Sequence, residues 1–153
     1  MSVRVIGCGN PLVSDDGVGV RVIEELKQTV LPSDVELITA GNDPFRVLDM
    51  LRGVDKVIIV DAAAGATPGE IMRLTPKDIE LSKKTGFSLH HVSIAQVLEL
   101  GKQLYPKEMP EEVQLYAIGV SDRQPFSVGL SPTAENAALE AARLILKEVS
   151  TGN

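Results

Sequence analysis

Four consecutive β-branched residues, Val57-Ile58-Ile59-Val60, set the strongest limit on what this chain can fold into. A strand with one wet face alternates apolar and polar residues, whereas a strand apolar at every position must be covered on both faces. The run therefore predicts a parallel sheet with helices packed on both sides. The rest of the chain agrees, because short apolar runs alternate with longer segments of helical period, the pattern of an α/β domain. Strands are expected at Val3 to Ile6, Val35 to Thr39, Val57 to Val60, Glu70 to Leu74 and Val113 to Ile118. Helices are expected from Asp16 to about Val30, over Pro44 to Leu51, from His91 to Leu104 and from Ser131 to about Val149. In the last of these Ser131 is the N-cap and Pro132 takes the first helical position. A helical turn at Pro76 to Leu81 interrupts an otherwise polar loop, Thr75 to Gly86. Only the Ala- and Gly-rich stretch Ala62 to Gly69 separates the third strand from the fourth. A parallel crossover needs a dozen or more residues, so the fourth strand is expected to run antiparallel.

Composition narrows the function classes. A length of 153 residues fits one domain, 1–153, and 44% hydrophobic with 24% charged residues is an ordinary globular balance. Aromatic residues are 3% of the chain and there is no Trp, so bases would find no stacking platform. Fifteen basic against twenty-one acidic residues leave a net charge of −6, which repels phosphate backbones and excludes nucleic acid as a partner. One Cys and two His cannot build an internal disulfide or a Cys-rich zinc site. The N-terminus moves straight into a strand-like run, and no apolar stretch approaches the ~18 residues of a membrane span. A cytoplasmic protein without membrane insertion is the expectation.

The segment Gly7-Cys8-Gly9-Asn10-Pro11-Leu12-Val13-Ser14-Asp15-Asp16-Gly17-Val18-Gly19 follows the first strand and opens a helix. A dinucleotide fingerprint would sit there, but Leu12 stands where its third glycine belongs. The pair Asp15-Asp16 would also repel a pyrophosphate at that helix start. Asp15 reads as the helix N-cap. Asp16, one residue on, is free to point over the sheet edge. Gly17 and Gly19 are costly inside a helix, about 1 kcal/mol each against Ala, so either a ligand or the sheet approaches the backbone closely. Asp61 closes the Val57 to Val60 strand, and His90 and His91 stand together at the entrance to a helix. In an open α/β sheet, ligands bind outside the carboxyl ends of the parallel strands. Asp16, Asp61 and His90 all belong at that edge. Two carboxylates and an imidazole there suit a divalent first-row transition metal and metal-assisted hydrolysis.

These residues resemble the motifs of the NiFe-hydrogenase maturation endopeptidases. The opening Gly7-x-Gly9-Asn10-x-Leu12-x-x-Asp15-Asp16-Gly17-x-Gly19, the strand Ile58-Ile59-Val60-Asp61-Ala62, the segment Ser88-Leu89-His90 and the helix opening Gly129-Leu130-Ser131-Pro132 are similar to that family in the same order. The resemblance implies a three-layer α/β/α sandwich around a five-stranded, mostly parallel sheet with one antiparallel strand. It implies a protease that removes a short C-terminal extension from the hydrogenase large-subunit precursor after nickel insertion. It also implies that Asp16, Asp61 and His90 form the metal-sensing and catalytic set. The nickel then arrives bound to the substrate and is not a permanent cofactor. One departure stands out: where the family carries Gly-Gly-Thr or Gly-Gly-Ser, this chain has Ala40-Gly41-Asn42-Asp43, so Asp43 could add a carboxylate to the site. His91 is the alternative imidazole. Two rival readings use the same edge. One is a thiol hydrolase built on Cys8, whose place near a helix N-terminus can lower a thiol pKa. The other is a nickel-binding maturation chaperone that cuts nothing.

Overall fold

The computed structural model describes residues 1–82, 88–89, 94–121 and 129–151. The strands are β1 (Val3–Cys8), β2 (Val35–Gly41), β3 (Lys56–Ala64), β4 (Ile71–Leu74), β5 (Ser88–Leu89) and β6 (Glu112–Val120). The helices are α1 (Val18–Lys27), α2 (Pro44–Met50), α3 (Pro76–Ser82), α4 (Ile94–Leu104) and α5 (Pro132–Thr151). The sheet runs in the order β2-β1-β3-β6-β4. Strands β1, β2, β3 and β6 are parallel, and β4 runs antiparallel to β6 at the edge. The two-residue β5 pairs antiparallel with the far end of β3, Ala63 with Leu89 and Ala64 with Ser88. The short Ala62 to Gly69 connection thus does what its length predicts.

The four-residue apolar run explains the layering. Ile58 and Val60 belong to one core together with Val18, Val22, Ile23 and Leu26 of α1 and Ala138, Ala141 and Ile145 of α5. Val57 and Ile59 belong to a second core with Val47 and Leu51 beside α2, Ile79 of α3 and Ile94, Val97 and Leu98 of α4. Each side chain of the run is fully buried, on alternate faces. The chain is therefore a three-layer α/β/α sandwich. From β1 the path goes outward to β2 and then returns past β1 to β3. The carboxyl ends of β1 and β3 lie at that reversal, where an open α/β sheet leaves its crevice.

Two helix limits differ from the sequence pattern. At its N-terminus, α1 is preceded by a single 3-10 turn, Ser14–Gly17, and starts at Val18 instead of Asp16. At its C-terminus it stops at Lys27 rather than near Val30. There the amides of Gln28 and Thr29 bond back to Glu25 and Leu26, and Thr29 Oγ1 donates to the Leu26 carbonyl at 2.7 Å. Those bonds tighten the last turn and leave Val30 94% exposed. The expected start of α4 at His91 lies outside the described residues.

At the opposite, amino edge of the strands, Glu148 of α5 ties three elements together. It accepts from Lys56 Nζ at 2.6 Å, from the Tyr116 hydroxyl at 2.6 Å and from Arg73 Nη2 at 2.7 Å. Burial works to raise its pKa, but the bonds from Lys56 and Tyr116 outweigh it and hold the carboxyl below its ordinary value of 4.5. Replacing Glu148 with Ala strands these donors, and the expected loss is about 2 kcal/mol, or roughly 4–8 °C in Tm. A depressed carboxylate stabilises the fold above its unfolded pKa and stops doing so as pH falls through the folded one. The Tm gap between wild type and Glu148→Ala, followed by calorimetry, should therefore narrow below about pH 4.

Candidate active site

Strand β1 ends in Cys8 and turns sharply through Gly9, whose φ is +117°. A Cβ at Gly9 would stand 1.9 Å from the carbonyl oxygen of Asp16, so only glycine lets the loop fold back onto the 3-10 turn. Ser14, which opens that turn, sits in the left-handed region at φ +38°, an uncommon place for a side-chain-bearing residue. Gly19 answers the question left open by the two helix glycines. A Cβ there would lie 2.4 Å from the Cys8 carbonyl oxygen and 2.6 Å from that of Val60, so the close approach is between helix and sheet.

Asp16 is fully buried, and its Oδ2 accepts from the Asn10 amide at 2.8 Å. Asp61 does not close its strand as the sequence suggests. Pairing of β1 with β3 stops at Gly7 opposite Val60, while β3 continues to Ala64. Asp61 is thus the first residue of β3 beyond its ladder with β1, still held by β6 on its other side. It is 1% exposed. Its Oδ1 accepts from the Ala62 amide at 2.8 Å, and its Oδ2 has no hydrogen-bond partner among the described residues. Burial raises the Asp61 pKa well above the usual carboxylate range, against the lowering effect of the Ala62 amide, and the Asp16 charge raises it further. Two carboxylates are therefore buried within electrostatic reach of each other at the switch point of the sheet.

Cys8 lies against the same pair and is fully buried. Burial pushes its thiol pKa up, and the charges of Asp61 and then Asp16 push it further. The sequence position suggested a lowered pKa; the surroundings give the opposite. A thiol held protonated by two neighbouring carboxylates is a poor nucleophile, which removes the basis of the thiol-hydrolase reading.

Two other expectations resolve differently. Asp15 caps no helix of its own: Val13, at the N-cap of the 3-10 turn, and Gly17, at that of α1, make no side-chain capping bond. Instead Asp15 reaches across to α5, its Oδ1 accepting from the Ser131 amide at 2.8 Å and its Oδ2 from the Ser131 hydroxyl at 2.7 Å. Ser131 is the expected cap of α5, its Oγ accepting from the Ala134 amide at 3.2 Å. Asp43 is exposed and caps α2 by accepting from the Phe45 amide at 3.0 Å, so that carboxylate is occupied locally. His90 and His91 lie outside the described residues. Leu89, the residue that precedes His90, pairs with Ala63, two residues beyond Asp61. Among the described residues alone, no three His, Cys, Asp or Glu side chains form a group able to hold a metal.

An open, mostly parallel α/β sheet with buried acid groups at its switch point defines a class of site. Comparison with known proteins then narrows it. The profile of the hydrogenase maturation protease family (HycI) matches residues 20–148. The chain is 30% identical over 154 residues to the hydrogenase 2 maturation protease of Escherichia coli strain K12, covering 97% of this chain and 92% of that protein. It is 31% identical over 154 residues to a putative hydrogenase maturation protease of Methanocaldococcus jannaschii, covering 96% of each. Among solved structures, the hydrogenase maturating endopeptidase HybD from E. coli superposes with a TM-score of 0.82 at 28% identity, over 99% of this chain and 94% of that one. The chain belongs to the hydrogenase maturation protease family. It is a peptidase. No helix among the described residues is long and apolar enough to cross a membrane.

Asp61 provides a direct test of the site's energetics. Its raised pKa means that the ionised form is penalised in the fold, a penalty present at neutral pH that fades as pH falls through the folded pKa. Asp61→Asn keeps the shape and the Ala62 contact without the charge. Its Tm at neutral pH should rise by about 2–4 °C, the effect of about 1 kcal/mol in a domain of this size. The advantage over wild type should shrink on acidification, and a thermal melt series across pH measures both.

Proposed function

We propose that this protease removes the C-terminal extension of a NiFe-hydrogenase large-subunit precursor after nickel insertion, and that Asp16, Asp61 and His90 form the set that contacts the substrate's nickel. The observation that carries the reading is the buried Asp16–Asp61 pair. Two carboxylates removed from water, with the charge of Asp16 adding to the burial that raises the Asp61 pKa, are unfavourable unless a proton or a cation sits between them. The Asp61 Oδ2, without a hydrogen-bond partner among the described residues, supplies a ligand atom for such a cation. His90 follows β5 directly in the chain, and β5 is joined to β3 just beyond Asp61, which supports its membership of the set. A borderline divalent ion such as Ni²⁺ suits mixed carboxylate oxygen and imidazole nitrogen donors.

Nickel on this reading belongs to the substrate and makes cleavage conditional. A precursor lacking the metal brings no cation to the carboxylate pair, so its binding leaves the buried charges uncompensated. A loaded precursor brings the cation and with it the cleavage site. Hydrolysis then adds water to the scissile carbonyl carbon and breaks the C–N bond, giving a new C-terminal carboxylate and the free amine of the extension. The family names of the relatives, hydrogenase maturation proteases, support the client class.

Mass spectrometry of the precursor, with and without nickel, tests this reading. The expected result is a shortened large subunit only in the nickel-loaded reaction. An unchanged mass with nickel retained by this chain would instead make it a metal chaperone. Asp16→Asn, Asp61→Asn and His90→Ala should each lower the cleavage rate by about a hundredfold or more, as removal of a group acting on the reacting centre does. Cys8→Ala should leave the rate within about twofold while costing about 1 kcal/mol of stability for the buried group removed. A loss of cleavage in Cys8→Ala with the fold intact would restore the thiol mechanism.

A further inference from the structure

The 3-10 turn that carries Asp16 has little to hold it. It is one turn long, lacks a side-chain cap and begins at a residue with positive φ. Ordering such a segment costs about 1–2 kcal/mol per residue in backbone entropy, and a single turn has few hydrogen bonds to offset that. Its internal bonds are local: the Asp16 amide donates to the Val13 carbonyl at 2.9 Å, and the Val13 amide to the Asn10 carbonyl at 3.1 Å. The long-range side-chain tie is the double bond from Asp15 to the amide and hydroxyl of Ser131. Ser131 in turn is fixed as the cap of α5, a helix of 20 residues whose alanine face is packed in the core beside α1. Asp15 is 9% exposed, so the tie is shielded from water and a carboxylate accepting two short bonds there is worth more than a surface contact.

We propose that Asp15 is a positioning residue: by clasping Ser131 it locks the 3-10 turn to α5 and so fixes where the neighbouring Asp16 carboxylate points. The two adjacent carboxylates divide the work. Asp15 faces the start of α5, where amide donors and the helix dipole balance its charge. Asp16 faces the switch point, held by the Asn10 amide at 2.8 Å. The charge of Asp15 is therefore balanced at the start of α5 and is not presented to the site. The catalytic side of this inference rests on the reading of Asp16 as a nickel-contacting group; the structural side does not.

Ser131→Ala removes the hydroxyl donor, Asp15→Asn weakens both bonds, and Ser131→Thr keeps the hydroxyl. The Asn10 amide proton reports the Asp16 carboxylate independently of any substrate. It should move upfield in Ser131→Ala and Asp15→Asn and return in Ser131→Thr in ¹H–¹⁵N spectra. With the nickel-loaded precursor, Ser131→Ala and Asp15→Asn should lower kcat roughly tenfold with KM within about twofold, because misplacement of a reacting group by under an ångström costs rate more than binding. Ni²⁺ affinity measured by titration calorimetry should weaken roughly tenfold alongside, and Ser131→Thr should restore both values. Glu148→Gln, which loosens α5 at the amino edge, is the control for stability alone and should leave kcat, KM and Ni²⁺ affinity unchanged. If Ser131→Ala and Asp15→Asn lower Tm but leave the Asn10 resonance, kcat and Ni²⁺ affinity at wild-type values, Asp15 is merely structural and the proposal is overturned. If wild type neither binds Ni²⁺ nor cleaves, the nickel reading falls and the catalytic side of the proposal falls with it, while the Asn10 shift still decides the structural side.

Discussion

Asp61 places an ionisable carboxyl inside a nine-residue strand, between the buried apolar runs Val57 to Val60 and Ala62 to Ala63. Isolated, such a group costs several kcal/mol to keep charged, more than a single well-packed side chain returns. The rest of the carboxyl edge is arranged around it. The ladder between β1 and β3 stops at Gly7 opposite Val60, one residue short of Asp61, and the loop that follows β1 brings in Asp16 and not a counter-charge. Proteins seldom keep two buried carboxylates together unless something else is meant to sit between them.

The tight construction of the loop between β1 and α1 serves the same end. Gly9 lets the chain double back against Asp16, and Gly19 lets α1 press onto the carbonyls of Cys8 and Val60. Both contacts pull the 3-10 turn down onto the sheet. Asp15 then secures the turn sideways to α5. Three different elements thus meet at that edge, through hydrogen bonds to Asp15 and Asp16 and the close packing of α1 on the sheet. At the other end of the same helix, the Glu148 cluster fastens α5 to β3, β4 and β6. α5 thus acts as a splint across the sheet, anchored at both edges by charged groups.

Cys8 shows how misleading position alone can be. Near a helix N-terminus a thiol is normally activated, yet here it sits in an apolar core with two carboxylates as its nearest charges. The net field at the sulfur therefore has the sign opposite to the one its place in the chain suggests.

Much of this protein was legible before any coordinates. The run Val57-Ile58-Ile59-Val60 implies burial on both faces, because hydrophobicity at every position leaves no side for water. The brevity of Ala62 to Gly69 implies an antiparallel β4, because chain length limits where a strand can return. The pairing of Ser131 with Pro132 marks the start of α5, because capping chemistry is local. Asp16 and Asp61 were recognisable as residues at the carboxyl edge for the same reason. What the sequence could not specify was where the Asp15 carboxylate goes, since by local pattern it reads as the cap of its own helix. That choice is made by Ser131, which lies 116 residues from Asp15 and meets it only when α5 packs beside α1. Local pattern decides what a segment can become; the long-range contact, a product of packing and not of spacing, decides where each charge ends up.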